Sequence, residues 1–195
     1  IVFYTPESRP VIENAVQRVL DSGEPFDVEL EIITAKGNFK KVHAIGKADF
    51  ENRRVYGFFQ DITERKQKEE ALNKLEYLLS EGQKIAHMGT FEYVVESQTS
   101  YWSAEEYSIY GLEPSSPSPS YEILLEKFIH PDDAELLNKT FTTALQNNAV
   151  FELEHRIVKQ DGSTRWVYER AQPYFDQNDK LIRYVGTTLD ITEQK

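Results

Sequence analysis

Two apolar periods alternate along the chain. Val11, Ile12, Ala15, Val16, Val19 and Leu20 fall at helical spacing. They predict a helix within residues 1–20, entered through Thr5 as N-cap and Pro6 at the first helical position. Gly23 and Pro25 end it. Phe26, Val28, Leu30 and Ile32 then alternate with polar residues, the period of a half-buried strand. Lys36-Gly37-Asn38 reads as a turn. A second strand follows with Val42, Ala44, Gly46 and Ala48 on one face, then a turn at Glu51-Asn52-Arg53 and a third strand over 55–62.

Residues 64–86 are charged, carry regularly spaced leucines and predict a helix capped by Thr63. Positions 65, 68, 72, 75, 79, 82 and 86 keep a heptad rhythm, of which Leu72, Leu75, Leu79 and Ala86 are apolar. Two readings stand: a solvated linker helix, or a short parallel coiled coil across a dimer with Leu72, Leu75 and Leu79 as its seam. Its length is roughly 36 Å at 1.5 Å per residue.

Beyond Gly89 the pattern predicts strands over 90–96 and 100–102. A short helix capped by Ser103 and ended by Gly111 comes next, then a Ser/Pro-rich loop over 114–120 and a helix over 121–129. A longer helix opens at His130-Pro131-Asp132-Asp133 and buries Leu136, Leu137, Phe141, Ala144 and Leu145. Strands over 151–158, 164–175 and 181–191 close the chain.

A repeat underlies this order. Asp61-Ile62-Thr63-Glu64 recurs as Asp190-Ile191-Thr192-Glu193, and residues 6–37 match 131–162 at a constant offset, Phe26 on Phe151 and Lys36-Gly37 on Asp161-Gly162. The offset grows by four after the loop near 174–180, where insertion is tolerated. Residues 1–63 are therefore expected to be the back half of a domain whose whole copy is 87–192, with 64–86 as linker helix. Three strands without the first two leave an unpaired edge. The front half is expected upstream in a longer parent, or a neighbouring chain covers the edge.

Composition narrows the function. The net charge of −11 argues against a nucleic-acid footprint. The absence of cysteine removes disulfides, thiolate zinc sites and a cysteine nucleophile. No apolar run is long enough to span a membrane. The chain starts at Ile1 without a signal peptide, as expected of a piece of a longer cytoplasmic protein. No phosphate-binding glycine loop, nucleophile elbow or zinc motif is present, so a regulatory rather than catalytic fragment is expected. His130, Asp132 and Asp133 crowd one helical turn, where carboxylates complement the dipole, and no metal is expected there.

The order strand, strand, short helices, long helix and three strands, closed by Asp-Ile-Thr-Glu, resembles the PAS domain with its C-terminal PAC motif. The landmarks are Gly89-Thr90-Phe91, Tyr101-Trp102-Ser103, His130-Pro131-Asp132-Asp133, Asp161-Gly162-Ser163-Thr164-Arg165-Trp166-Val167 and the segment 186–193. The resemblance implies an α+β fold: a five-stranded antiparallel sheet with helices on one face around a small cavity. It also implies a place in sensor proteins, most often histidine kinases, upstream of an output module in the same chain. The flavin light sensors of that superfamily need a helix cysteine, absent here. Their amide contacts would fall at Ile157, Val167 and Thr188. Haem-binding members offer a histidine from the long helix, and 131–147 has none. Flavin of the cysteine-adduct type and haem are not expected, and the ligand is left open.

The candidate cavity is drawn from strand faces. The first copy's buried face, Val42, Ala44 and Gly46, carries across to Val167, Glu169 and Ala171. These are expected to point inward with Leu153, His155 and Ile157, with Tyr184, Gly186 and Thr188 of the last strand, and with Phe141 of the long helix. His155 is expected opposite Glu169, across a turn with an odd number of residues. Three readings of that pair remain: a self-satisfied cross-strand pair, a polar floor for a small ligand, or two solvent-facing groups. Asp61, Thr63, Asp190 and Thr192 are the expected relay from sheet to outgoing helix. The alternative function is a ligand-free dimerisation and relay module with a filled core.

Overall fold

The computed structural model describes residues 3–51, 54–114 and 117–195. It divides into two compact units, Ile1–Glu76 and Tyr77–Lys195. The first holds helix α1 (Ser8–Ser22) and strands β1 (Phe26–Ile33), β2 (Phe39–Asp49) and β3 (Arg54–Asp61), in the antiparallel order β1-β2-β3. The division falls within helix α2 (Thr63–Ala86). The second unit contains β4 (Met88–Val94), β5 (Thr99–Trp102), α3 (Ala104–Tyr110), α4 (Tyr121–Lys127), α5 (Pro131–Asn147), β6 (Phe151–Val158), β7 (Thr164–Phe175) and β8 (Leu181–Asp190), then a 3-10 turn at Thr192–Gln194. Its sheet is antiparallel, five-stranded and ordered β5-β4-β8-β7-β6.

Local chemistry sets the helix ends. Ser103 Oγ accepts the amide of Glu106 and Ser120 Oγ that of Ile123, both N-caps. His130 caps α5 by accepting the amide of Asp132 at Nδ1, with Pro131 in the first turn. Gly23 and Gly111 end α1 and α3 in the left-handed region. The first helix starts later than its sequence suggests, at Ser8, because residues 6–7 form a turn first. Thr5 still accepts the Ser8 amide at Oγ1.

The two units repeat one another bond for bond at the β1–β2 and β6–β7 hairpins. Thr34 pairs with Asn38 around Gly37, and Lys159 with Ser163 around Gly162. Both glycines have a φ of 81°, as a three-residue hairpin loop with a left-handed position requires. That turn corrects the expected register. His155 lies opposite Val167, and Glu169 lies opposite Leu153. The shift is two residues, so the faces are as expected and only the partners change. The turn expected at Glu51-Asn52-Arg53 falls partly outside the described residues.

One core fills each unit. Ile12, Leu30, Val42 and Ala44 form the first, and β3 is an edge strand exposed along its length. The second is larger and centres on Tyr110, Leu137, Phe141, Phe151, Ile157, Val167, Ala171 and Tyr184. Among the described residues, no helix is long and apolar enough to cross a membrane.

Candidate functional site

The inner face of the five-stranded sheet carries one polar row. Gly89 of β4 pairs with Thr188 of β8, Thr188 with Glu169 of β7, and Glu169 with Leu153 of β6. Gly89 is where α3 comes down onto the sheet. A Cβ built there would stand 2.1 Å from Glu106 Oε2 and 2.6 Å from Glu106 Cα. The missing side chain lets Glu106, in the first turn of α3, lie flat on the row.

Two carboxyl groups therefore share a buried floor. Glu106 is 1% exposed and Glu169 7%. Thr188 Oγ1 lies 2.7 Å from Glu106 Oε1 and 3.4 Å from Glu169 Oε1, so one hydroxyl proton serves two acids. Tyr110 donates to Glu169 Oε1 at 3.3 Å. His155 Nε2 is 4.0 Å from Glu169 Oε2, a diagonal approach rather than a direct pair. Glu106 Oε2 and both ring nitrogens of His155 are buried with no hydrogen-bond partner among the described residues. Burial, then the neighbouring Glu169, hold the Glu106 carboxyl well above the usual carboxylate range, against the pull of Thr188. Burial and the same two acids push the Tyr110 phenol up.

Above this floor is a cavity of about 60 Å³. Glu106 and Glu169 line it below. Aromatic rings wall it: Phe91 and Tyr93 from β4, Trp102 from β5, Tyr110 from α3, Tyr121 from α4, Phe141 from α5 and Phe151 from β6. The rings are stacked into a frame, Trp102 on Tyr110 at 4.8 Å and Tyr121 on Phe141 at 5.0 Å between centroids.

The residues expected to line the cavity lie on the inner faces, yet few of them touch it, and Leu136, expected buried on α5, is exposed. Phe141 and Glu169 line it. His155, Ile157, Val167, Ala171 and Tyr184 are buried in the packed core, and Leu153 packs against it half-buried. Gly186 makes room for the Phe91 ring, 2.6 Å from where its Cβ would be. Thr188 joins the two acids. The residues missed include Glu106 and Tyr110 of α3 and the walls Phe91, Tyr93, Trp102, Tyr121 and Phe151. Glu106, Ile109 and Tyr110 stand at i, i+3 and i+4 on α3, the spacing of a buried face, which was the available signal.

The expected relay residues form the same junction twice. Asp61 Oδ1 accepts the Thr63 amide at 2.9 Å, Thr63 Oγ1 accepts the Lys41 amide at 2.9 Å, and Lys40 pairs with Asp61 at 2.9 Å. In the second unit Asp190 Oδ1 accepts the Thr192 amide at 2.9 Å, Thr192 Oγ1 accepts the Trp166 amide at 3.0 Å, and Arg165 approaches Asp190 at 4.0 Å. The Thr63 hydroxyl and the Lys40 ammonium hold the Asp61 carboxyl far below its ordinary range. The Asp190 amide also donates to His87 O at 3.0 Å, so the strand leaving the unit is tied to the segment entering it.

The Glu106 carboxyl gives this unit a pH signature. Its folded-state pKa is raised above the ordinary 4.5, so folding takes up a proton between those two values. Stability is expected to fall as pH rises through that window. Glu106→Gln should raise stability at neutral pH and flatten the profile, with little change below the ordinary carboxylate pKa. Urea unfolding at acidic and neutral pH reads the difference.

Comparison with known proteins places the second unit. Residues 99–188 match the family described as the PAS fold. A Sinorhizobium fredii protein named Uncharacterized protein y4lL is 26% identical over 197 residues, 97% of this chain and 23% of its own length. A blue-light-activated histidine kinase of Brucella ovis is 27% identical over 116 residues, 53% of this chain and 22% of its own length. The chain thus spans under a quarter of these curated relatives. Among solved structures, a sensory box histidine kinase/response regulator from Burkholderia thailandensis is similar with TM-score 0.50 and 22% identity, covering 60% of this chain and 86% of that one. The N-terminal domain of a diguanylate cyclase with PAS/PAC sensor from Marinobacter aquaeolei gives TM-score 0.51 at 17% identity, covering 55% and 97%. At these identities the structural likeness speaks to the fold.

Proposed function

We propose, from the premise that residues 99–188 belong to the PAS fold family, that this chain is a cytoplasmic sensory and relay segment of a longer signalling protein. Its second unit takes a small ligand in the aromatic cavity and biases an output module beyond Lys195. A histidine kinase is the output that the Brucella relative's name suggests. The observation that carries the reading is the two-acid floor under an aromatic frame: Glu106 and Glu169 are buried side by side with His155 Nε2 no nearer than 4.0 Å, an arrangement costly to keep for packing alone.

The floor also supplies a route outward. Glu106 lies on Gly89 and bonds Thr188. Gly89 is two residues from His87 and Thr188 two from Asp190, the pair that ties entry to exit. A ligand that binds one arrangement of this floor better than another shifts both junctions together, by its differential affinity and no more. The blue-light name of the relative does not transfer by a cysteine adduct, because this chain has no cysteine.

Dimerisation through α2 belongs to the same proposal. Leu72, Leu75 and Leu79 are 55–64% exposed. Leu78 and Ile85, seven apart, are exposed beside them and widen the stripe. A parallel helix pair would cover these leucines as a short coiled-coil seam.

The second reading, a filled relay module without ligand, is favoured by the Phe141 and Tyr184 rings. They pack 6.0 Å apart within the buried core. Native mass spectrometry with a denaturing control separates the two. A small surplus mass that vanishes on denaturation, on a dimer lost in a Leu72→Lys, Leu75→Lys variant, is the expected result. A dimer without surplus mass would favour the relay alone, and a monomer would remove the seam.

A further inference from the structure

We propose that the cavity takes a small organic cation, an amine or a methylated ammonium. The inference rests on the reading that this cavity holds a ligand at all. Its basis is the character of the walls and floor. Among the described residues, those lining the cavity include two carboxyls and no lysine, arginine, histidine or side-chain amide. An anion would meet no opposite charge there. A neutral apolar guest would leave both acids unanswered.

A cation is met on every side. Trp102, Tyr121, Phe141 and Phe151 present aromatic rings, whose π faces attract positive charge, most strongly where water is excluded. Beneath them Glu106 lines the cavity with Oε2 unpartnered at 1% residue exposure. Among the described residues, Glu169 has only Tyr110 and a shared Thr188 proton as hydrogen-bond donors. Two acids with so few donors need a proton or a cation to stay buried. The volume sets the guest's size. About 60 Å³ at roughly 10–15 Å³ per water-sized group holds about four to six non-hydrogen atoms. Trimethylammonium and tetramethylammonium fall in that range.

Proton and cation compete for the buried Glu106 carboxyl, so affinity rises with pH. The titratable groups facing the site are Glu106, Glu169, Tyr93, Tyr110 and Tyr121, with His155 behind Glu169. Burial keeps the three phenols neutral in the neutral range.

The test is isothermal titration calorimetry of the full chain with trimethylammonium, tetramethylammonium, the uncharged isostere tert-butanol, and acetate. Expected are saturable heats for the two ammonium ions, about tenfold or more tighter than tert-butanol, and none for acetate. Affinity should be higher at about pH 8 than at about pH 6. Glu169→Gln keeps the shape of the floor and should weaken the ammonium ions about tenfold, and Trp102→Leu should weaken them while both variants keep their circular dichroism. If tert-butanol or acetate binds as tightly as the ammonium ions, the cation assignment is overturned and the ligand reading survives. If the ammonium ions bind the variants unchanged, they sit elsewhere and the assignment fails. If nothing in the set binds, the assignment and the cavity's ligand role both fall.

Discussion

Gly89→Ala should destabilise the 77–195 unit by about 3 kcal/mol, the upper end for overpacking a core. The reason is where the added methyl lands. It would stand 2.6 Å from the Cα and 2.9 Å from the backbone nitrogen of Glu106. A flexible side chain could step aside, but the first turn of α3 is held by Ser103, whose Oγ accepts the amides of both Thr90 and Glu106. The helix must therefore lift from the sheet, taking Glu106 off Thr188 and opening the cavity floor. Thermal melting should move down by roughly 10 °C or more, and a melting point within a degree of the parent would mean that α3 does not rest on β4 as described.

Tyr184→Ala should cost about 4 kcal/mol, as for other large aromatic deletions. Tyr184 is fully buried on the inner face of β8, between Phe141 and the end of α5. Its hydroxyl lies 2.9 Å from Ala144 O, which also accepts the Ala149 amide at 3.0 Å, and 2.8 Å from Ala149 O, so it ties β8 to the end of α5. The two contributions separate by mutation. Tyr184→Phe keeps the ring and should lose only the hydrogen bond, about 1–2 kcal/mol. Urea unfolding of the two variants reads both steps. Equal losses for Phe and Ala would mean that the ring contributes no packing.

Much of this fold is written in the alternation of apolar residues. Taken alone, the alternation in β7 reads either way, because Trp166 and Tyr168 compete with Val167 and Ala171 for the buried side. The first copy, with Val42, Ala44 and Gly46, resolves it, and all three of Val167, Glu169 and Ala171 are buried. The register needed the turn as well. Face parity survives a shift of two residues, so nothing in the alternation distinguishes His155 opposite Glu169 from His155 opposite Val167. The left-handed glycine in each turn makes that choice.

The cavity was harder to place, for a physical reason. The strands shared by both copies are the ones whose inner faces pack tightly, so a reading built on the repeat points at core. The void lies where β4, β5, α3 and α4 meet α5, and the first four of these have no counterpart among the first unit's described residues. Glu106 was hidden by its neighbours. Beside Glu105 in a first helical turn, a carboxylate reads as a dipole partner at the surface. Only the helical spacing with Tyr110 and the bare backbone at Gly89 mark it as buried.

The most direct measurement is the fluorescence of Trp102 in a Trp166→Phe variant of the chain. The protein has two tryptophans. Trp102 walls the cavity against Tyr110, and Trp166 lies away from it under Arg156 and Lys195. Titration with small cations, neutral polar molecules and small acids should give, for one class, a saturable change in Trp102 emission that Glu169→Gln weakens. Flat emission across all three classes, with the fold intact, would contradict a ligand site above the two acids.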